Sequence, residues 1–306
     1  MTALLQDRVA LVTGAGRGLG RAHALELARH GARVLINDIG AEAPDSPAQA
    51  VAARIREAGG TACVHGADVT DPIQVQEMVQ SAVRQWGRVD ILVNNAGILR
   101  DKSFAKMSLE DFRLVLEVHL MGSVHCTQAV WDLMREQNYG RIVMTSSSSG
   151  LYGNFGQANY GAAKMALVGL MQTLAIEGER YGIRVNCLAP TAATAMTEGL
   201  LEPQALDLLA PEAVSPALVA LVAEDAPTRA ILLAGAGCFE QAHITMTRGV
   251  CLGEAELSAA ALIDRLDEVA DREADSVPAT GFDQLRHEIA KAEACRQARA
   301  AGQPAS

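Results

Sequence analysis

Three residues in the middle of the chain have the types and the spacing for acid–base chemistry at an alcohol or a carbonyl. Tyr160 and Lys164 are four positions apart, so on a helix both side chains lie on one face. A lysine ammonium beside a phenol favours the phenolate and lowers a pKa that is ordinarily about 10. Ser147, thirteen residues before Tyr160, can hold a substrate oxygen against that phenol. The alternative is an exposed helix pair without a chemical role.

A glycine-rich segment joins the first predicted strand to the first predicted helix. It has the spacing Gly-x-x-x-Gly-x-Gly rather than Gly-x-Gly-x-x-Gly. Side-chain-free positions let the backbone turn tightly and approach a pyrophosphate at the helix N-terminus. The predicted cofactor contacts in this segment are Gly14, Arg17, Gly18, Leu19 and Gly20. A plain turn is the alternative.

Asp38, at the end of the second predicted strand, indicates which dinucleotide is bound. A carboxylate there accepts a hydrogen bond from a ribose 2′-OH and repels a 2′-phosphate. Arg17 is the contrary signal, because its cation attracts a 2′-phosphate. We give Asp38 more weight and predict NAD rather than NADP, although Asp38 can also serve as a turn cap.

Two further segments follow predicted strands and are candidates for cofactor contact. Asp68 and Val69 follow the third strand, where an adenine edge is met, and a simple Asx turn is the alternative. Asn95, Ala96 and Gly97 follow the fourth strand. There an asparagine side chain ties neighbouring loops together, and the glycine leaves room for a cofactor.

Strand and helix patterns alternate along the chain, and the strands are continuous apolar runs. This pattern predicts an α/β fold: a single Rossmann-type, doubly wound parallel sheet of about seven strands with helices on both faces. One long helix is expected over Ser108–Arg135. Residues 1–252 are predicted to form the NAD-binding domain, including a substrate loop, and residues 253–306 a helical C-terminal extension. The seven predicted strands are Arg8–Thr13, Arg33–Asp38, Thr61–His65, Asp90–Asn94, Arg141–Ser146, Arg184–Ala189 and Ala230–Ala234.

These motifs together resemble the short-chain dehydrogenase/reductase family over roughly residues 5–240. The matching segments are Thr13-Gly14-x-x-x-Gly18-x-Gly20, Asn94-Asn95-Ala96-Gly97, Ser147, Tyr160-x-x-x-Lys164 and Asn186-x-x-x-Pro190. The resemblance implies hydride transfer between a nicotinamide and a carbonyl or secondary alcohol. It also implies that Tyr160 is the general acid/base, that Lys164 lowers its pKa and holds the nicotinamide ribose, and that Ser147 orients the substrate oxygen.

The chain departs from the family pattern at two places. His119 stands where the family has an asparagine that completes a proton relay; it can join such a relay or be a satisfied core histidine. After Pro190 the usual glycine is Thr191 and the loop is one residue short. Thr194 is the expected contact to the nicotinamide carboxamide, with Pro190 beside it.

Within the family, several segments are similar to the (3R)-hydroxyacyl-CoA dehydrogenase modules of type 2 peroxisomal multifunctional enzymes. Examples are Val34-Leu-Ile-Asn-Asp-Ile-Gly40 and Gly150-Leu-Tyr-Gly-Asn-Phe-Gly-Gln-Ala-Asn-Tyr160. The resemblance implies an NAD-dependent enzyme for a (3R)-3-hydroxyacyl-CoA. A hydroxysteroid or other bulky secondary alcohol is the alternative substrate, and a non-catalytic nucleotide-binding scaffold is the remote one. Arg100, Lys102 and Lys106 are candidates for contact with CoA phosphates by position.

Composition limits the remaining classes. With 306 residues, 49% hydrophobic and 20% charged, the chain has a globular composition, and its net charge of −10 argues against nucleic-acid binding. Its histidines and six cysteines have no metal-ligand spacing, so no metal site is predicted. No run is apolar enough for a membrane span and the first residues lack a signal-peptide pattern, which predicts a cytoplasmic protein. The family resemblance implies a homodimer or homotetramer.

Overall fold

The computed structural model describes residues 3–193, 206, 208–253 and 256–300. They fall into two compact units, Met1–Ala242 and His243–Ser306. This division comes earlier in the chain than the predicted domain boundary after residue 252, which stays a prediction.

The first unit is built on one eight-stranded sheet with the order β3-β2-β1-β4-β5-β6-β7-β8. The first seven strands run parallel, and β8 pairs antiparallel with β7. The strands are β1 Val9–Val12, β2 Arg33–Asn37, β3 Thr61–His65, β4 Ile91–Asn94, β5 Gly140–Thr145, β6 Ile183–Thr191, β7 Ile231–Gly235 and β8 Cys238–Ala242. The predicted doubly wound parallel sheet is confirmed, with one strand more than expected.

Helices cover both faces of this sheet. Their bounds are α1 Gly18–Arg29, α2 Pro47–Glu57, α3 Pro72–Trp86, α4 Leu109–Leu116, α5 Gly122–Gln137, α6 Ser148–Tyr152, α7 Ala158–Gly178 and α8 Ser215–Val222. Successive β1 residues alternate between two cores: Ala10 and Val12 pack with α1, α2 and α8, whereas Val9 and Leu11 pack with α3, α5 and α7. Burial on both faces explains why the strands are apolar at every position.

The prediction of one continuous helix over Ser108–Arg135 is wrong, because the helix is interrupted in its middle. Helices α4 and α5 are separated by one turn of π-helix, Glu117–Met121, with the buried His119 at its centre. A π-turn inserts one extra residue per turn, which is often found at functional sites. The apolar periodicity that predicts Ser108–Arg135 as one helix does not reveal such a turn.

The strand missed by the sequence pattern is β8. Its side chains are mostly exposed, so the apolar run that marks the inner strands is missing. Ala236 and Gly237 connect it to β7, and both have positive φ (52° and 75°). Two left-handed residues form the type I′ hairpin that matches strand twist.

The described residues of the second unit form three helices: α9 Ala259–Ile263, α10 Leu266–Ala270 and α11 Gly281–Ala300. An antiparallel bridge joins Met246 and Ser276. Lys291 of α11 donates to the carbonyl oxygen of Arg248 at 2.6 Å, which fixes the segment before α9 to α11. The sequence correctly predicts helices in this part of the chain.

Candidate active site

A cavity of about 450 Å³ lies where the sheet order reverses between β1 and β4, at the carboxyl ends of the strands. In doubly wound sheets this is where ligands bind. The predicted residues that line it are Gly14, Arg17, Gly18, Leu19, Gly20, Asp38, Asn95, Ala96, Gly97, His119, Ser147, Tyr160, Lys164 and Pro190. The tertiary structure therefore brings most of the sequence candidates to one place.

The glycine loop has the geometry of a phosphate cradle. Gly14 has φ +61°, and a Cβ placed on Gly20 would lie 2.2 Å from the Gly14 carbonyl oxygen. Arg17 is the N-cap residue of α1, yet its side chain makes no capping hydrogen bond. The first N–H groups of α1 thus lack a side-chain cap, and an anion such as a pyrophosphate fits them.

Asp38 has a second role that its position at the end of β2 did not indicate. One carboxylate oxygen, Oδ2, accepts a hydrogen bond from the Gly16 backbone N–H at 2.7 Å. The same side chain lines the cavity. Asp38 therefore holds the glycine loop in place while its other oxygen can accept from a ribose hydroxyl, the role predicted for it.

Asn95 and Thr13 tie the end of β4 to the glycine loop. The Asn95 amide donates to the carbonyl oxygens of Thr13 and Gly14 at 2.9 and 3.1 Å. The Thr13 hydroxyl accepts from the N–H groups of Asn95 and Ala96, both at 3.0 Å. These bonds show Asn95 holding the loop, whatever further contact it makes with a cofactor.

Two neighbouring serines at the end of β5 have different partners. The Ser146 hydroxyl donates to the Lys164 carbonyl oxygen at 3.0 Å. Its proton is therefore used in a hydrogen bond to α7. Ser147 is the N-cap residue of α6, and its Oγ accepts from the Ser149 N–H at 3.2 Å. Its hydroxyl also contacts the Tyr160 phenol. This arrangement agrees with the spacing that selects Ser147.

Burial governs the titration of Tyr160 and Lys164. The Lys164 Nζ lies 5.4 Å from the centroid of the Tyr160 ring. Burial raises the pKa of Tyr160, opposed by its contact with Ser147 and aided by the Asp101 carboxylate. Burial also lowers the pKa of Lys164 to about 7. The predicted lowering of the Tyr160 pKa by Lys164 is therefore not seen, because burial of the phenol itself has the largest effect on that pKa.

His119 lies against the Tyr160 ring and contacts the loop after β4. The two ring centroids are 5.2 Å apart in an edge-to-face arrangement. The His119 Nε2 is 2.8 Å from the Ile98 carbonyl oxygen and 3.1 Å from the Ile98 N–H nitrogen. Its Nδ1 is buried and has no hydrogen-bond partner among the described residues. Burial lowers the pKa of His119 to about 3, so the ring is neutral at physiological pH.

Gly97 provides the space that the His119 ring occupies. A Cβ at Gly97 would lie 2.2 Å from the Cε1 atom of His119. The glycine was expected to make room for a cofactor, whereas here it makes room for a side chain of the site. The orphaned Nδ1 leaves His119 with one position for a further polar partner.

Two of the predicted contacts, Asp68 and Val69, are not among the residues that line the cavity. The Asp68 carboxylate accepts from the N–H and the hydroxyl of Thr70 at 2.9 and 2.8 Å, which makes the simple Asx turn named above as its alternative. The carbonyl oxygen of Val69 lies 3.0 Å from His125 Nδ1, and neither Asp68 nor Val69 lines the cavity. Thr194 lies outside the described residues.

A family model described as short chain dehydrogenase matches residues 8–205, which contain every element of this site. The chain belongs to the short-chain dehydrogenase/reductase family. It is therefore an oxidoreductase, as predicted, and the reading as a non-catalytic scaffold loses its support.

Three relatives of this short-chain dehydrogenase bear on its function. Peroxisomal multifunctional enzyme type 2 of Drosophila melanogaster is 47% identical over 251 residues, covering 80% of this chain and 42% of that enzyme. Its full-length structure has a TM-score of 0.80, with 36% identity over 96% of this chain and 50% of that chain. A putative short-chain type dehydrogenase/reductase of Mycobacterium tuberculosis is 47% identical, covering 76% of this chain and 84% of the relative.

The third relative is a 7α-hydroxysteroid dehydrogenase whose structure contains NADH and 7-oxo glycochenodeoxycholic acid. It is 29% identical, with a TM-score of 0.70, covering 77% of this chain and 96% of that chain. The predicted resemblance to type 2 multifunctional enzymes is confirmed by the fly enzyme. The chain spans less than half the length of that relative.

Several lining residues of this dehydrogenase were missed by the sequence analysis. They are Leu99, Thr145, Ser149, Asn154, Gln157, Thr191 and Ala192. Most have types common in loops, so nothing in their spacing marks them. Gln157 had a usable signal, because it lies three positions before Tyr160 at a helix start.

The described residues show neither a metal-binding cluster nor a membrane-spanning helix. Within residues 3–193, 206, 208–253 and 256–300, no group of three or more His, Cys, Asp or Glu side chains has the arrangement of a metal site. Over the same residues, no helix is both long and apolar enough to cross a bilayer.

Proposed function

We propose that the chain oxidises the hydroxyl of a (3R)-3-hydroxyacyl-CoA to a ketone with NAD. The observation that supports this most is that Ser147, Tyr160 and Lys164 share one cavity with the glycine loop and Asp38. The segments quoted above that are similar to (3R)-hydroxyacyl-CoA dehydrogenase modules support the choice of substrate, as does the 47% identity to the fly enzyme.

The prediction of NAD as cofactor is confirmed by the family and its Rossmann fold. The residues present fit a dinucleotide: the uncapped start of α1 suits a pyrophosphate, and the cradle of Gly14 and Gly20 has no room for side chains. Asp38 would hold the adenosine ribose, and Lys164 the nicotinamide ribose. When bound, NAD supplies the ring that accepts a hydride.

The chain's own residues would move the proton. Ser147 would hold the substrate hydroxyl against the Tyr160 phenol, and Tyr160 would take its proton as general base. Because the pKa of Tyr160 is raised, the phenol is protonated near neutral pH and oxidation should accelerate as pH rises. In the reverse direction the same protonated phenol is ready to act as the acid.

His119 would extend this proton path in place of the family's asparagine. Its ring packs edge-on against Tyr160, and its Nδ1 is buried without a partner among the described residues. As a neutral ring, it can donate at one nitrogen and accept at the other without changing its charge.

Two of the three cationic residues predicted to contact CoA phosphates, Arg100 and Lys102, form ion pairs with a carboxylate of this chain. Lys102 Nζ lies 3.2 Å and Arg100 Nε 3.9 Å from the Asp111 carboxylate. Both pairs are on the surface, where such contacts are weak and exchange readily with a phosphate. With Lys106, they stay candidates for the CoA end of the substrate.

A hydroxysteroid is the second candidate substrate. It is favoured by the likeness to the 7α-hydroxysteroid dehydrogenase at a TM-score of 0.70, at a lower identity than the fly enzyme has. The chemistry at Tyr160 would be unchanged, and only the group that fills the cavity beyond it would differ.

The test is the initial rate of NADH formation with a (3R)-3-hydroxyacyl-CoA, its 3S isomer and a hydroxysteroid, each with NAD and with NADP. We expect turnover of the 3R thioester with NAD and a loss of at least about 100-fold in Tyr160→Phe. Turnover of the steroid alone would overturn the acyl-CoA assignment. Full activity of Tyr160→Phe would overturn the role of the phenol.

We further propose a homodimer or homotetramer in the cytoplasm. Helix α7 is apolar on several sides, and its outer face exposes Met165 at 40% and Ile176 at 46%. A helix that is apolar all round is normally covered, which supports a second copy there. The fly relative is named as peroxisomal, so imaging of the tagged protein tests the proposed location.

A further inference from the structure

A second polar side chain lies beside Tyr160 and has no part in the proton transfer. Gln157 is the N-cap residue of α7, and its side chain lines the same cavity. Residues three positions apart at the start of a helix are neighbours on one face. Gln157 and Tyr160 both line that cavity.

Three neighbours fix the direction in which this amide points. Its oxygen accepts from Ser149 Oγ at 2.8 Å and from Asn154 Nδ2 at 3.2 Å, which uses both lone pairs. Its nitrogen donates to Asp101 Oδ2 at 2.7 Å. Because a carboxylate only accepts, the nitrogen must face Asp101, and the amide cannot be flipped.

One hydrogen of the Gln157 amide is left over. Its nitrogen carries two N–H bonds, and only the bond to Asp101 has a partner among the described residues. Ser149 also donates its backbone N–H to Ser147 Oγ, so the amide and the reactive hydroxyls stand on one connected wall. A donor in that position can bind an oxygen of the molecule held by Ser147 and Tyr160.

We infer that Gln157 binds the acyl carbonyl oxygen of a β-hydroxyacyl substrate and thereby selects such substrates over simple alcohols. This inference rests on the proposed function. A β-hydroxyacyl group carries its carbonyl two carbons from the hydroxyl carbon, so both oxygens can be held from one wall.

The position of Asp101 narrows the substrate class further. The Asp101 carboxylate accepts a hydrogen bond from the Gln157 side-chain nitrogen. The neighbouring cations Arg100 and Lys102 pair with the Asp111 carboxylate and not with Asp101. A free β-hydroxy acid would bring a second carboxylate toward Asp101 and be repelled. The site therefore selects a neutral acyl group, as in a thioester or ester, over the free acid.

The test compares kcat/KM for three alcohols with NAD: a (3R)-3-hydroxybutyryl thioester of N-acetylcysteamine, free (3R)-3-hydroxybutyrate and 2-pentanol. We expect Gln157→Leu to lower kcat/KM for the thioester by about tenfold and to change that for 2-pentanol by less than about twofold. Asp101→Asn should raise kcat/KM for the free acid relative to the thioester. Gln284→Leu, an exposed change on α11, is the matched control.

The outcomes separate the inference from the proposed function. Equal losses for the thioester and 2-pentanol in Gln157→Leu, at unchanged Tm and NADH affinity, would show general damage to the site and overturn the inference. An unchanged rate with the thioester would overturn it as well. If the wild-type protein oxidises 2-pentanol but not the thioester, the proposed substrate fails and the inference fails with it.

Discussion

Lys164 and His119 share one cavity and are both almost completely buried. Burial penalises a charged side chain, so the pKa of each lies below its usual value. Near neutral pH the site therefore holds a neutral His119 ring and a partly protonated Lys164 side chain beside a protonated Tyr160 phenol. Each of these states follows from the fold, and each can be titrated.

The pH dependence of stability should carry the signature of Lys164. Its pKa is about 7 in the folded protein against 10.5 in the unfolded chain, so between these values the unfolded chain binds more protons. The free energy of unfolding should therefore rise with pH across that window, and below about pH 7 the cost of burying the cation is fully present. Urea denaturation at a series of pH values, with Lys164→Met alongside, measures this. A slope as steep in the variant as in the wild type would contradict the assignment.

His119 should relay protons as a neutral ring, without changing its charge between about pH 5 and 9. Because its pKa is about 3, His119 should add no limb to the pH profile of kcat near the usual histidine value of about 6.5, and a limb near pH 7 from Lys164 should be the same in wild type and His119→Asn. We expect His119→Asn to keep kcat within about tenfold, since an amide also donates and accepts, and His119→Leu to lose about 100-fold. A limb near pH 6.5 that disappears in His119→Asn would show that the ring titrates instead.

At the scale of elements, the loops after β1, β2 and β4 are joined by backbone and side-chain hydrogen bonds into one frame. Asp38 holds Gly16, and Asn95 holds the backbone at Thr13 and Gly14. These hydrogen-bonded loops leave no space for a Cβ atom at Gly14 or Gly20. A substitution at either glycine should therefore displace several loops together.

Gly20→Ala tests this frame. The new Cβ would meet the Gly14 carbonyl oxygen at 2.2 Å and the Ala15 Cα at 2.9 Å, and neither backbone atom can move independently. We expect a lower Tm and a loss of NADH affinity of at least about tenfold, read by calorimetry and by cofactor fluorescence. Gly281→Ala, where nothing lies within 4 Å, is the control and should leave both unchanged. Normal NADH binding in Gly20→Ala would show that the loop can relax.

At the scale of the whole molecule, the exposed apolar face of α7 is the feature that the single chain leaves unexplained. Met165 and Ile176 lie on that face, on the helix that also carries Tyr160 and Lys164. An assembly through α7 would thus stiffen the catalytic helix itself.

Met165→Glu should dissociate the proposed oligomer, because burying an unpaired carboxylate in an interface costs free energy. Light scattering after size-exclusion chromatography gives the mass directly. Ile73→Glu replaces an apolar residue that is 71% exposed on α3 and serves as the control. An unchanged mass in Met165→Glu would place the interface elsewhere or show the chain to be a monomer.

The sequence by itself determined the fold class, the family and the shared location of most site residues. Alternating apolar strands and helices specify a doubly wound sheet, and in such a sheet the strand ends that carry Asp38, Asn95 and Ser147 must meet at one edge. Short-range spacing likewise places Tyr160 beside Lys164. These inferences depend on period and order, which a sequence displays.

Only the tertiary structure decided protonation states, the π-turn at His119, the strand β8 and the orientation of Gln157. Protonation depends on how much water the fold excludes, and the Gln157 amide is fixed by Asp101, which is far from it in sequence. The contact of Asp68 with the cofactor stays a prediction; in the structure its carboxylate forms an Asx turn with Thr70, and Asp68 is not among the residues that line the cavity. Burial and long-range contacts are sums over many residues, so no local pattern displays them.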